Sequence, residues 1–201
     1  CMAGAKVSRV CSIALENGLS GLEFAWGIPG SIGGAVYMNA GAYGGEMKNI
    51  VKQCTYITRS GELITLENKD IKFGYRSSVF HTNGGIIVSA VLALSFGDKN
   101  EIREKMDDLI GRRKEKQPLE FPSAGSTFKR PEGYFAGTLI EQCGLKGFSV
   151  GGAAVSEKHA GFVINKGGAT CDDVLRLVDI IKQRVFDETG VSLECEIKML
   201  K

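Results

Sequence analysis

The chain has 201 residues, 43% of them hydrophobic, enough for one large domain or two small ones with real cores. Its 25 basic and 23 acidic residues nearly cancel, and apart from Arg112-Arg113-Lys114-Glu115-Lys116 no basic stretch is built to follow a phosphate backbone, which argues against nucleic acid as a partner. No apolar run approaches the roughly 20 residues that cross a bilayer, and no charged region precedes an apolar leader. Membrane insertion and secretion are therefore not expected, and a cytoplasmic location is.

In chain order, residues 4–17 put Val7, Val10, Cys11 and Ala14 on one helical face and stop at Gly18, an ordinary helix end. There is no starting Met and the first residue falls within a structured region, so preceding sequence is expected. Two glycine-rich spans follow, Gly27-Ile28-Pro29-Gly30-Ser31-Ile32-Gly33-Gly34 and Asn39-Ala40-Gly41-Ala42-Tyr43-Gly44-Gly45, in a chain whose 27 glycines far exceed the usual share of about 7%. Glycine lets backbone approach a phosphate or ring closely and also makes tight turns. The spacing G-x-x-G-x-x-G-G is neither the dinucleotide fingerprint nor a P-loop. Two spans so close together favour a cofactor site.

Strands are predicted at Cys54 to Thr58 and Glu62 to Leu66 around the turn Arg59-Ser60-Gly61, and along Gly85 to Phe96. Asn100 is the expected cap of a helix bearing Ile102, Met106, Leu109 and Ile110, which ends near Lys116, before Pro118. The proline-bearing stretch from Gln117 to Ala124 lacks periodicity, so a boundary is placed there, with domains 1–118 and 119–201. Beyond it come a helix near Phe135 to Cys143 closed by Gly144, short strands near Ala153 to Val155 and Gly161 to Asn165, a helix opened by the capping box Thr170-x-x-Asp173, and a last strand over Val191 to Met199. The fold class expected is α+β, the second domain being a small sandwich.

The cysteines at 1, 11, 54, 143, 171 and 195 form no Cys-x-x-Cys pair and have no histidine at zinc spacing, so isolated thiols are expected and a metal site is not. Phe73-Gly74-Tyr75-Arg76-Ser77-Ser78 sets a lone arginine among aromatic and small residues, where it clamps a carboxylate or makes an ordinary surface ion pair. Gly147-Phe148-Ser149-Val150-Gly151 fits the Gly-x-Ser-x-Gly elbow of serine hydrolases. The elbow needs a helix after it, whereas Gly152 to Val155 reads as strand, and between Ser149 and His159 only Glu157 is acidic. By themselves Lys114 to Lys116 read as a solvated helix end, and His159 as a turn histidine. Glu194 and Glu196 read as carboxylates on one face of a strand, with Cys195 on the other.

Taken together and in this order, Gly21-Leu22-Glu23-Phe24, the two glycine spans, Tyr75-Arg76-Ser77-Ser78, Gly125-Ser126-Thr127-Phe128-Lys129-Arg130-Pro131, Lys146-Gly147 to Val155 and Leu193-Glu194-Cys195-Glu196-Ile197 resemble the UDP-N-acetylenolpyruvoylglucosamine reductase family from end to end of the chain. The resemblance implies a partial FAD-binding subdomain of the vanillyl-alcohol-oxidase (PCMH) type over 1–118, followed by a substrate-binding domain. It implies the NADPH- and FAD-dependent reduction of UDP-N-acetylglucosamine enolpyruvate to UDP-N-acetylmuramate in peptidoglycan synthesis. By the same resemblance Gly30, Ser31, Gly33, Gly34, Asn39, Gly41, Gly44 and Tyr75 bind the flavin, while Tyr43, Lys116, Arg130 and His159 bind the substrate. Arg76, Ser126 and Glu196 are the catalytic residues, with Ser126 the proton donor; Glu196 is preferred to Glu194 for its Glu-Ile-Lys setting. The family carries an N-terminal lobe of roughly 80 to 100 residues, ordinary in size for a flavin enzyme. That lobe is expected as a partner from the same protein, and without it the chain is expected to hold FAD weakly. The alternatives are a serine hydrolase using Ser149 and an inactive UDP-sugar-binding fragment.

Overall fold

A computed structural model describes residues 1–199. Close contacts divide the chain into two units, Cys1–Arg113 and Lys114–Lys201. The division falls in the last turn of a long helix, whereas the sequence reading sets it just after that helix, between 118 and 119.

The first unit opens with α1 (Val7–Glu16), whose Val7, Cys11, Ala14 and Leu15 are buried at helical spacing; Asn17 caps it and Gly18, at φ 65°, turns the chain out. β1 (Leu19–Ser20) leads through a turn of 3-10 helix to α2 (Ile32–Tyr37). This short helix lies inside the first glycine span, where no periodicity announces it. Ser31 begins it by accepting a hydrogen bond from the Gly34 amide at 3.3 Å. The second span forms a hairpin of β2 (Gly41–Ala42) and β3 (Gly45–Glu46).

An antiparallel sheet of β4 (Val51–Ile57), β5 (Leu63–Glu67) and the later β6 follows, β4 at its centre. α3 (Asn68–Ile71) and α4 (Phe80–Asn83) intervene before β6 (Ile86–Leu92). The apolar run expected as one strand to Phe96 breaks after Leu92: β7 (Ser95–Phe96) separates and pairs with β1. Then α5 (Lys99–Lys116) buries Ile102, Met106, Leu109 and Arg113 along one stripe. Its start differs from expectation. Asp98, two residues before Asn100, accepts from the amides of Asn100 at 2.8 Å and Glu101 at 3.1 Å, because it immediately precedes the helix and its carboxylate reaches the unpaired N–H groups of the first turn. One core joins α1, α2, β4 and α5 through Val7, Cys11, Ile32, Val36, Cys54, Ile102 and Met106, where each fully buried Val or Ile contributes about 1.5–3 kcal/mol.

The second unit is an antiparallel sheet in the order β8 (Ser123–Ser126), β11 (Phe162–Asn165), β10 (Ala153–Val155) and β9 (Ser149–Val150). With it go α6 (Ala136–Gln142) and α7 (Cys171–Thr189). The capping box is formed as the sequence reading has it: Thr170 Oγ1 accepts from the Asp173 amide at 3.1 Å and Asp173 Oδ2 accepts from the Thr170 amide at 2.9 Å. Ile140, Leu145, Val155, Leu177, Ile181 and Val185 form the core between the helices and the sheet. The final strand expected over Val191 to Met199 is not formed as a strand. A single bridge, Phe128 to Cys195, with the Lys129 amide donating to Glu194 O at 2.8 Å and the Glu196 amide to Thr127 O at 2.9 Å, ties this segment beyond the end of β8. An extended run with one bridge makes too few ladder bonds to count as an element.

Candidate functional site

In the first unit the candidate residues occupy three pieces of backbone: the start of α2, and, joined to each other by hydrogen bonds, the β2–β3 hairpin and a turn from Gly74 to Ser77. The turn closes on itself, the Gly74 amide donating to Ser77 O at 3.0 Å and the Ser77 amide to Gly74 O at 3.3 Å, with Tyr75 and Arg76 at its tip. Arg76 has φ 51°, in the left-handed region that a branched or long side chain seldom adopts. Its Nη2 donates to Gly41 O at 3.3 Å, and its guanidinium carbon lies 5.2 Å from the centre of the Tyr75 ring. Tyr43 and Gly44 form the hairpin's two-residue loop at φ 51° and 84°, the type I′ signature. Among the described residues only Asn39, Tyr43, Lys72 and Arg76 are non-glycine residues at positive φ, and three of these are candidate site residues.

The glycines divide by what a side chain would meet. At Gly33 a Cβ would come within 2.8 Å of the Ala3 Cβ, and at Gly41 within 2.8 Å of Gly45 O, so packing alone requires glycine at both. Gly30, at φ 132°, and Gly44 have open space instead, and both are exposed. There bare backbone faces outward, as a planar or anionic group needs in order to lie against it. Tyr75, 54% exposed beside Arg76, offers such a group an aromatic face. These residues suit a flavin.

Asn39 is buried and fully committed. Its Nδ2 donates to Glu46 Oε2 at 2.7 Å and Gly74 O at 2.9 Å, while its Oδ1 accepts from the Lys48 amide at 2.9 Å. Glu46, which sequence reasoning does not single out, also pairs with Lys48 Nζ at 3.1 Å. Burial pushes its carboxyl up, but hydrogen bonds from Lys48 and Asn39, with the charges of Lys48 and Arg76, outweigh that and hold it below the usual carboxylate range. The glutamate following the glycine span is the only sign of it in the sequence.

In the second unit, register brings the candidates together. Ser126 is exposed at the end of β8, opposite Phe162. Thr127, the next residue, is buried; its amide donates to Gly161 O at 2.9 Å, its Oγ1 accepts from the Val163 amide at 3.0 Å, and its carbonyl accepts from Glu196. Ser126, Glu196 and the turn before β11 therefore meet around one threonine. In that turn His159 Nδ1 accepts from the Gly161 amide at 3.0 Å, which assigns the imidazole proton to Nε2, and the ring packs edge-on to Phe162 at 5.0 Å. Burial lowers the histidine's pKa, Lys146 adding to the effect, so the ring favours its neutral, single-donor form. Lys158 Nζ reaches Lys114 O at 2.8 Å and Glu120 Oε2 at 3.6 Å, which fastens the segment bearing the exposed Lys116 to the same turn. Arg130 stacks its guanidinium 3.9 Å above the Phe135 ring. Glu194 is paired with Lys129.

Ser149 is in a different kind of place. It lies on β9, and the chain passes through Gly151 and Gly152 into β10 as a hairpin, without the strand-to-helix turn of a nucleophile elbow. The buried Cys11 and Cys54 are poor nucleophiles, since burial pushes their thiols up to about 12 and about 11, and no group of His, Cys, Asp and Glu among the described residues is arranged to hold a metal.

Comparison with known proteins gives a consistent picture. Residues 117–200 match the family described as UDP-N-acetylenolpyruvoylglucosamine reductase, C-terminal domain, and residues 1–67 match the FAD binding domain family. UDP-N-acetylenolpyruvoylglucosamine reductases of Clostridium perfringens (strain SM101) and Caldanaerobacter subterraneus are 53% and 52% identical over 98% of this chain, which spans 65% and 66% of their lengths. The crystal structure of UDP-N-acetylenolpyruvylglucosamine reductase from Thermus caldophilus superposes with a TM-score of 0.86 at 38% identity, over 98% of this chain and 70% of that one.

Proposed function

Because this chain belongs to the UDP-N-acetylenolpyruvoylglucosamine reductase family, we propose that it carries the substrate-facing part of an NADPH- and FAD-dependent oxidoreductase that makes UDP-N-acetylmuramate for peptidoglycan in the cytoplasm. The observation that supports this best is the Gly74–Ser77 turn: a strained arginine, at φ 51°, kept in place by a buried asparagine, at a position that resembles the family's carboxylate-binding arginine. No helix among the described residues is long and apolar enough to cross a membrane, which is compatible with a cytoplasmic enzyme.

FAD would lie against Gly30, Ser31, Gly34 and Gly44 and the Tyr75 ring, with Gly33, Asn39 and Gly41 shaping that surface from beneath. When bound and reduced by NADPH, a flavin held there would supply hydride for the terminal methylene carbon of the enolpyruvyl ether. Arg76 grips the substrate carboxylate, and its charge stabilises the negative charge that spreads into that group as the hydride arrives. Ser126 then gives its hydroxyl proton to the adjacent carbon. A hydroxyl is a weak acid, so the step depends on a strongly basic carbanion. Glu196 supports this charge arrangement. Tyr43, Lys116, Arg130 and His159 bind the UDP-sugar, His159 as a neutral Nε2–H donor.

The test is NADPH consumption by the full-length protein with and without the enolpyruvyl substrate. Substrate-dependent oxidation that is lost in Ser126→Ala and kept in Ser149→Ala is expected. Ester hydrolysis abolished by Ser149→Ala would overturn the reading in favour of a hydrolase. UDP-sugar binding without any NADPH oxidation would leave only a binding module.

A further inference from the structure

The Asn39 amide admits one orientation. Exchanging its oxygen and nitrogen would set an N–H against the Lys48 amide and an oxygen against both Gly74 O and the Glu46 carboxylate. Asn39 is 1% exposed, so water has no easy access to make good a lost partner. Gly74 O, which receives one of its two N–H bonds, opens the turn that carries Arg76. Glu46 receives the other. Glu46 is itself fixed three ways: by Lys48 Nζ at 3.1 Å, by its place in β3 directly across from Gly41, and by the Asn49 side chain, which accepts from its amide at 3.2 Å. Gly41 is in turn the residue whose carbonyl receives the Arg76 guanidinium. Both ends of Arg76 therefore lead back to one residue: the backbone turn to the Glu46 carboxylate through Asn39, and the guanidinium to the Glu46 backbone through the strand pairing of Gly41.

Resting on the reading of Arg76 given above, we propose that Glu46 is a positioning residue: by accepting the second N–H of Asn39 it fixes the amide that holds Gly74 O, and so fixes the aim of Arg76. Remove that acceptor and a buried N–H is left without a partner; the amide then turns to find one and releases Gly74 O. The strained φ of Arg76 would relax, and the guanidinium would move with it.

The experiment separates two half-reactions of the full-length flavin-loaded protein by stopped flow: reduction of the flavin by NADPH, and its reoxidation by the enolpyruvyl substrate. Glu46→Ala is expected to slow reoxidation by roughly 10²-fold, as a misplaced catalytic group can, and to slow reduction by NADPH far less, since Arg76 acts only on the substrate while Tyr75 on the same turn keeps its exposed ring. Glu46→Gln, which keeps an acceptor for Asn39, recovers most of that rate. Added to Arg76→Lys, Glu46→Ala costs nothing more, since its effect passes through Arg76. Equal slowing of both half-reactions, or full additivity with Arg76→Lys, overturns the proposal. If Glu46→Ala does not fold, Glu46→Asp takes its place: it keeps the charge but draws the acceptor back, so unchanged reoxidation is the refuting result. Should Arg76→Lys alone leave reoxidation untouched, the reading of Arg76 falls and this proposal with it. Should Arg76→Lys slow reoxidation while Glu46→Ala does not, only the role of Glu46 falls.

Discussion

The candidate residues of the first unit are held by unusual backbone, and those of the second by ordinary pairing. Asn39, Tyr43 and Arg76 sit at φ 45°, 51° and 51°, conformations that each cost on the order of 1 kcal/mol or more and persist only where the surroundings over-determine them. Ser126 and Glu196 take their places from hydrogen bonds to Thr127 and its neighbours, in unstrained extended chain. Strain fixes a side chain at the tip of a turn to within a narrow range. Register fixes it more cheaply, but leaves it dependent on one inner residue. The two regions should therefore fail differently.

The largest expected effect is on activity. Ser126→Ala in the full-length enzyme should lower the rate of substrate reduction by about 10²- to 10⁴-fold, the range for a lost general acid, with no change in melting temperature because the hydroxyl is exposed. A matching loss of stability would mean that Ser126 supports the fold. Next, Thr127→Val leaves the Val163 amide without its acceptor in a buried place and should cost about 1–3 kcal/mol in urea denaturation. An effect near zero would show that the register stands without Thr127. Gly44→Ala tests strain by itself, since φ 84° is unfavourable there while nothing occupies the space; it should cost about 1–2 kcal/mol.

The smallest contrast is in acid. His159, with its pKa lowered by burial, is penalised once it must charge, so the second unit keeps this contribution above its ordinary value of 6.5 and loses it as pH falls below that. In the first unit Glu23 is held below its ordinary 4.5: burial raises it, but the Ser20 hydroxyl, backbone N–H groups and Lys105 outweigh that. That contribution is present above 4.5 and is lost only as pH falls through the lower folded value. Hydrogen exchange between these two values should loosen the second unit first, and His159→Gln should remove the difference.

Much of this was readable in the residues. Periodicity located α1 and α7, and the Thr170–Asp173 box marked where α7 begins. The Arg59-Ser60-Gly61 turn located the β4–β5 hairpin. What escaped has a physical reason in each case. Six residues containing two glycines are too few to display a helical stripe, so α2 read as loop. Asp98 and Asn100 are equally plausible caps until the backbone decides. The segment after α7 alternates like a strand yet gains only one bridge. At the candidate site, Arg76 and Ser126 were distinguished by resemblance alone, because no residue type announces its own φ. Glu46 went unread because its partners come from its own hairpin, from Asn39 and from Lys48, a set that only folding assembles.

The hairpin that mimics a hydrolase elbow has one more lesson in it. At Gly151 a Cβ would lie 2.3 Å from Asp173 Oδ1, the same carboxylate that caps α7. The last glycine of the Gly-x-Ser-x-Gly pattern is thus spoken for twice, by a helix cap and by its own φ of 53°, so a larger residue at 151 would need position 173 to give up its acid and would still carry backbone strain.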